Sequence, residues 1–508
     1  MLNNIRSINL KWIVLIGMSL LIFLGNFDFT AVALVLPQIS KSFGSDLSRL
    51  QWIMISYIIA SASFIIINTQ ICNFFDKKYI FIIGCMLFSL TSLFCGLSFN
   101  VDILITMRFL QGIGYALTFP LIYDFVFSIF PNEGRGFAIS VLHFTTGIAQ
   151  TVGPVLGGVI SYYFGWRTVF FINFPICVLI IFFTIMNLPK DNYQKKSSLL
   201  GVSNAFLMFL IIVTLMLVLN QNLFELNKNI IKNTFWGIFI CLILLIIFIF
   251  REKNNPIPVF NRSLLLDKQF IRINIIRFFI QIIFVIFIFI PNLLLQNILG
   301  YSSTFTGIIY SSMTLVFAMF SIISGKIIDR HGPKYPLITG IISLILGCLF
   351  LVFLPYTCSL SIIFSSFIVI GIALGLTFPS SLFICLSNTK KENRAAASSI
   401  FLMNALLGCS FGVAFSGLIL SITTKFKLYN ILNIGKLSLN NIQETLLGKL
   451  MTGVEPLKNV SSHILNIDLI HYATSSFLIS LQIIMLICLM ISVVALWLSF
   501  KLFRKKVI

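Results

Sequence analysis

Negative charge is the scarcest property of this sequence. Asp and Glu supply 15 of 508 residues and Lys and Arg 35, so all four together make only 10%, where a soluble globular domain carries roughly 25%. An ordinary soluble fold is thereby excluded. Metal-site spacing is missing as well. The ten Cys are scattered, with no Cys-x-x-Cys pair and no Cys/His cluster, so neither a disulfide framework nor a metal centre is expected. No Gly-x-x-x-x-Gly-Lys-(Ser/Thr) run occurs, and the segments expected inside the cell are too short for a nucleotide-binding domain. That argues against an ATP-driven pump. With no nucleophile–base pair and no cofactor loop, an enzyme is the least favoured class and no cofactor is expected.

Apolar residues are what the chain has. They make up 58% of it, and the mean hydropathy is +1.03. The 54 Phe accompany much Ile, Asn and Lys, a bias that an A/T-rich genome also gives, so no aromatic drug cage is read from them. Runs long enough to cross a bilayer fall at about 13–35, 51–71, 79–98, 103–129, 136–160, 168–188, 199–219, 233–250, 270–293, 303–325, 335–355, 360–387, 396–422 and 474–500. The first run is too long for a signal-peptide core and reads as an uncleaved helix. About fourteen transmembrane helices make an all-α integral membrane protein of the cytoplasmic (inner) membrane. An even number puts both termini on one side. Lys11 at one end and Lys501, Arg504, Lys505 and Lys506 at the other mark that side as cytoplasmic. The net charge of +20 would suggest nucleic acid in a soluble chain. Here it follows from the positive-inside rule, and no nucleic-acid partner is expected.

The chain repeats itself. Gly112 through Pro120 matches Gly371 through Pro379. In the same register Arg135 falls on Arg394, Gly153 on Gly412 and Gly158 on Gly417; separately, Lys78-Tyr79 and Gly84 match Lys334-Tyr335 and Gly340. Two homologous six-helix halves with a site between them are a transporter plan. The expected units are an N-terminal half at 1–190, a two-helix insert at 191–253 and a C-terminal half at 254–508. A long outside loop is expected at about 423–473. It is either a solvated loop or a contact for a periplasmic adaptor protein. The charge chemistry is not repeated: Arg108 falls opposite Phe367 and Asp124 opposite Phe383, so any coupling site is expected in the N half.

The ordered residues resemble a known family. They are Asp28-Phe29-Thr30-Ala31 through Pro37, Arg108-Phe109-Leu110-Gln111-Gly112, Gly147 through Gly158, Trp166-Arg167 with Phe170 and Asn173, and Gln296 with Gly300-Tyr301-Ser302. Together they resemble the fourteen-helix drug:proton antiporters of the EmrB/QacA type, within the major facilitator superfamily. The resemblance implies that Gly147, Gly153, Pro154, Gly157 and Gly158 form the antiporter motif. It also implies a cytoplasmic latch. The family's loop motif Gly-x-x-x-Asp-(Arg/Lys)-x-Gly is intact at Gly325, Asp329, Arg330, Gly332 and Lys334. At the first copy its positions hold Thr69, Asn73, Phe74 and Asp76. Asn73 cannot act as the carboxylate, and Asp76 is expected to take the left-handed turn a Gly would supply.

Asp28 and Arg108 are the residues on which function turns. Charges at such depth are costly and survive where they line a pathway or carry a proton. Both fall at similar depth in the outer half, so a switchable proton-coupling contact between them is expected. A permanent structural ion pair is the bland alternative. Asp28, Gln150 and Asn404 are the candidate substrate contacts. For Gln150, Asn404, His143 and Gln281 an interhelical hydrogen bond is the commoner explanation. Asp124 reads as a cytoplasmic gate residue or a snorkelling carboxylate. The expected function is proton-driven export of small amphipathic or cationic compounds, that is, multidrug efflux. The alternatives are a dedicated exporter of an endogenous metabolite such as a siderophore and a non-transporting membrane sensor. Sodium remains open as the coupling ion.

Overall fold

The computed structural model describes residues 2–45, 47–188, 199–220, 228–253, 255, 258, 262–355, 358–429, 447–448, 450–452 and 467–504. Hydrocarbon offers no partner for backbone N–H and C=O groups, so each span satisfies its own by forming a helix. A first group comprises α1 (Leu2–Phe43), α2 (Leu47–Ile71), α3 (Lys77–Gly96), α4 (Val101–Ile129), α5 (Arg135–Phe164) and a sixth span in two pieces, α6 (Arg167–Phe171) and α7 (Asn173–Asn187). Next come α8 (Leu199–Leu219) and α9 (Lys228–Lys253). The second group runs α10 (Arg262–Leu266), α11 (Lys268–Leu293), α12 (Ser303–His331), α13 (Lys334–Val352), α14 (Leu360–Ser387), α15 (Arg394–Tyr429) and α16 (Ile467–Phe503). Among the described residues 13 helices are long and apolar enough to cross a membrane, and Ser203–Leu219 of α8 is a shorter apolar helix. They account for every expected span.

Helices overrun several expected ends. α15 continues to Tyr429 and α16 begins at Ile467, because a helix leaving the bilayer keeps its internal hydrogen bonds. The expected outside loop is shortened from both sides. Most of it, including any adaptor contact, lies outside the described residues. Within it Leu447, Leu450 and Met451 are buried.

Within each group the repeat seen in sequence becomes repeated packing. Small residues let helix backbones approach. A Cβ on Gly84 of α3 would fall 2.7 Å from Thr118 Cγ2 of α4, and one on Gly340 of α13 would fall 2.6 Å from Thr377 Cγ2 of α14. Pro120 of α4 and Pro379 of α14, matched in the repeat, each have a polar side chain of a neighbouring helix close by. Pro120 cannot donate to the carbonyl four residues back, and Asn68 Nδ2 of α2 donates to that Ala116 carbonyl at 3.0 Å. In the second group Ser324 Oγ of α12 donates at 3.1 Å to the Leu376 carbonyl, one residue past the Gly375 carbonyl that Pro379 leaves without its helix donor. Asn68→Ala leaves a buried carbonyl unsatisfied and is expected to destabilise the protein by about 1–3 kcal/mol, read as a lowered melting temperature in detergent. Unchanged melting would remove this role.

The groups meet along two seams, α5 on α12 and α2 on α15, while α8 leans on α2 and carries α9. The helix α9 is almost wholly exposed on the outside of the bundle. At one end of the bundle Trp12 packs edge-on against Phe130 at 5.6 Å, and Arg272 Nη1 donates to the Lys501 carbonyl at 2.8 Å. The starts of α1 and α11, the end of α16 and the α4–α5 link share this terminal face.

Candidate functional site

Asp28 and Arg108 meet. Arg108 Nη1 donates to Asp28 Oδ2 at 2.5 Å, and both side chains are fully buried. The pair is enclosed by the first group alone. Asn173 Nδ2 of α7 donates to Asp28 Oδ1 at 2.9 Å and also to Ser92 Oγ of α3 at 2.9 Å. Gln111, one turn along α4, accepts from Arg108 Nη1 at 2.8 Å and places its Nε2 at 3.5 Å from Asp28 Oδ1. The Tyr57 ring of α2 lies 4.5 Å from the guanidinium carbon. Arg108 Nη2, Asn173 Oδ1 and the Tyr57 hydroxyl are buried without a partner among the described residues. Desolvating two charges is expensive, and their attraction offsets it only when the remaining valences are satisfied. Here several are not, so the arrangement is held together without being saturated. Gln111 and Asn173 are the members that residue-by-residue reading did not single out as site residues.

The glycine positions back onto the same turn of α1. A Cβ on Gly153 would strike Thr30, and one on Gly157 would fall 2.7 Å from the Cβ of Ala31. Gly158 faces Leu34. Gly147 faces the other way, with a virtual Cβ 2.8 Å from that of Ala318 on α12. One turn along α5, Thr151 Oγ1 and Thr314 Oγ1 of α12 share a hydrogen bond of 2.6 Å. The helix α5 therefore touches both the Asp28 turn and the second group, with Pro154 inside it.

At the terminal face Asp329 closes the seam. Its carboxylate accepts from the Gly136 amide at 2.8 Å and the Phe137 amide at 2.9 Å, at the N-terminus of α5, where unpaired amides and the helix dipole favour an anion. A Cβ on Gly325 would meet the Ser140 side chain. Gly332 has φ 82, a conformation that suits Gly, while Arg330 and Lys334 are exposed. Ser398 Oγ of α15 donates to the Pro120 carbonyl at 2.9 Å, and the Phe127 and Phe383 rings lie 5.9 Å apart. The first copy of the loop differs from expectation. Asp76 has φ −62 and caps α3 by accepting from the Lys78 amide at 2.8 Å. No left-handed turn is needed, because the Asp side chain replaces it with a local cap. Asp124 is buried and accepts from Lys77 Nζ at 2.7 Å.

Gln150 and Asn404 are brought neither to Asp28 nor into contact with each other. Gln150 Nε2 reaches Asn26 Oδ1 at 3.4 Å, and its Oε1 is buried without a partner. Asn404 Nδ2 donates to Asn274 Oδ1 at 2.9 Å. His143 is buried with its Nδ1 at 3.0 Å from the Ile139 carbonyl.

The family model of the Major Facilitator Superfamily matches residues 18–413. The chain is similar to the multidrug transporter protein MdtP of Bacillus subtilis, 26% identical over 81% of this chain and 75% of that one. It is also similar to the riboflavin transporter RibZ of Clostridioides difficile, 24% identical over 82% and 91%. A third relative is the multidrug export protein EmrB of Haemophilus influenzae, 27% identical over 78% of each. In fold it resembles the human organic anion transporter MFSD10, with a TM-score of 0.64 at 12% identity over 96% and 99% of the two chains. The proton:xylose symporter XylE gives 0.63 at 13% identity over 97% and 96%. Charge-poor spans, duplicated packing and this matched stretch agree: the chain belongs to the major facilitator superfamily, as a multi-pass transporter of the cytoplasmic membrane.

Proposed function

We propose that this transporter exchanges protons for small amphipathic compounds, exporting them by alternating access. The observation that carries the reading is the enclosed Asp28–Arg108 pair with its polar collar. A proton on Asp28 removes most of the attraction to Arg108. Asn173 and Gln111 can still hydrogen-bond the neutral acid, since amides both donate and accept. Arg108 then rests on Gln111, the Ile53 carbonyl at 3.4 Å and the Tyr57 ring. The α1–α4 contact loosens. Because α1 is seated on Gly153 and Gly157 of α5, its shift is passed to the α5–α12 seam.

In this reading residues 1–190 and 254–508 are the rocking halves and 191–253 an added pair of helices. Both termini face the cytoplasm, following the Lys and Arg bias. Gln150 and Asn404, on helices that pack across the halves, contact substrate. Asp124 with Lys77, and Asp329 with the α5 N-terminus, hold the cytoplasmic side shut. The structure is then outward-facing.

The latch supplies a test. Asp329→Ala removes both hydrogen bonds to α5 and is expected to open the terminal face. A cysteine at Ser398, buried in the closed face, should then react several times faster with a membrane-impermeant maleimide applied from the cytoplasmic side. An unchanged rate would sink the latch assignment.

A further inference from the structure

A second arginine lies deep in the bundle without an acid. Arg277 of α11 is 6% exposed. Its guanidinium carbon sits 3.7 Å from the Phe378 ring and 5.2 Å from the Phe401 ring. Among the described residues its Nε and Nη1 have no hydrogen-bond partner and it forms no ion pair. The other acids deep in described spans, Asp28 and Asp124, are each held by a different cation.

The surroundings belong to both groups. His143 of α5 lies 6.1 Å from Phe378, ring to ring, and Tyr123 of α4 lies 6.1 Å from His143. One turn along α11, Gln281 Oε1 is buried without a partner. Aromatic rings satisfy the faces of a guanidinium and leave its edge open. The N–H groups of Nε and Nη1 left open there are charge-bearing donors suited to an oxyanion. A buried charge with an unfilled edge is destabilising in itself, which a binding role explains and a packing role does not.

We infer that Arg277 anchors the acidic group of the substrate, an aromatic or fused-ring carboxylate bound between the two groups. The rings of Tyr123 and Phe378 take its apolar body, and Gln281 accepts from a hydroxyl or amide of it. A cationic substrate is disfavoured here by Arg277. This inference rests on the exporter reading for the location of the site, not on proton coupling. Exchange of one proton for a monoanion moves net positive charge inward, so an inside-negative potential drives export.

The test uses full-length protein in detergent, without a gradient. Three probes with the same ring system are titrated: 2-naphthoate, its near-isostere 2-naphthamide, and the cationic 2-naphthylmethylamine. Naphthoate is expected to bind about 10-fold or more tightly than the amide, the weight of one charge-assisted hydrogen-bonded contact. Arg277→Gln should erase that preference while leaving amide binding unchanged. Arg277→Lys, which keeps the charge and guards against a folding failure, should retain only part of it. Absence of naphthoate binding, equal or tighter binding of amide or amine, or an undiminished preference in either variant overturns the inference. Asp28→Asn should keep the preference. If that variant also exports normally, proton coupling at Asp28 fails while the anion site stands.

Discussion

Asp28→Asn is expected to reduce gradient-driven export to the level of empty liposomes. Asn keeps the size and the hydrogen bonds to Asn173 and Gln111, but it has no site that binds and releases a proton in a working range. The substitution also strands Arg108, fully buried, without its counter-charge. Removing one member of a buried pair costs about 3–5 kcal/mol, so lost transport has to be separated from lost protein. The double variant Asp28→Asn with Arg108→Gln makes that separation. It should melt close to the wild type and still not export. If it exports with the gradient, Asp28 is not the coupling acid.

Arg108→Gln alone should cost as much stability as Asp28→Asn, again about 3–5 kcal/mol. Asp28 then stays enclosed with only amide donors around it. The loss should nearly vanish when Asp28→Asn is added, so that the coupling energy between the two positions approaches the sum of the two single losses. Thermal unfolding of the four proteins in one detergent measures it. Simple additivity would mean that the pair contributes nothing as a pair. A pair that is strongly coupled in stability, yet dispensable for transport, would be the permanent ion pair that the sequence also allows.

Much of this was readable in the sequence for a physical reason. Charge is so costly in hydrocarbon that Asp28 and Arg108 stand out against apolar neighbours, and their depths follow from the rise of a helix. The glycine landmarks were readable because close helix approach tolerates few residue types, which is why Gly84 and Gly340 recur with the same neighbours. The collar was not. Asn173 and Gln111 belong to the motifs that carry the family resemblance, but only the fold shows that both point at one carboxylate. Asn68 and Ser324 each donate to a carbonyl of the proline-bearing helix beside them, but differ in residue type and escape a repeat search. Arg277 was hidden by its position. It follows Lys268 and Arg272 near the start of a span and reads as part of a basic edge, whereas α11 carries it inward to the aromatic rings of α14 and α15. Asp76 misled because a side-chain cap and a left-handed turn both end a loop at a helix start, and sequence does not distinguish them.

Proton flux driven by substrate tests the coupling claim most directly. Proteoliposomes holding a pH-sensitive dye in weak buffer, with membrane potential clamped, are given a substrate gradient and no pH gradient. Wild-type protein should move protons against the direction of substrate flow, and the double variant at Asp28 and Arg108 should move none. Substrate flux through the wild type with a flat pH trace, or an identical proton flux through the double variant, would contradict proton exchange at this pair.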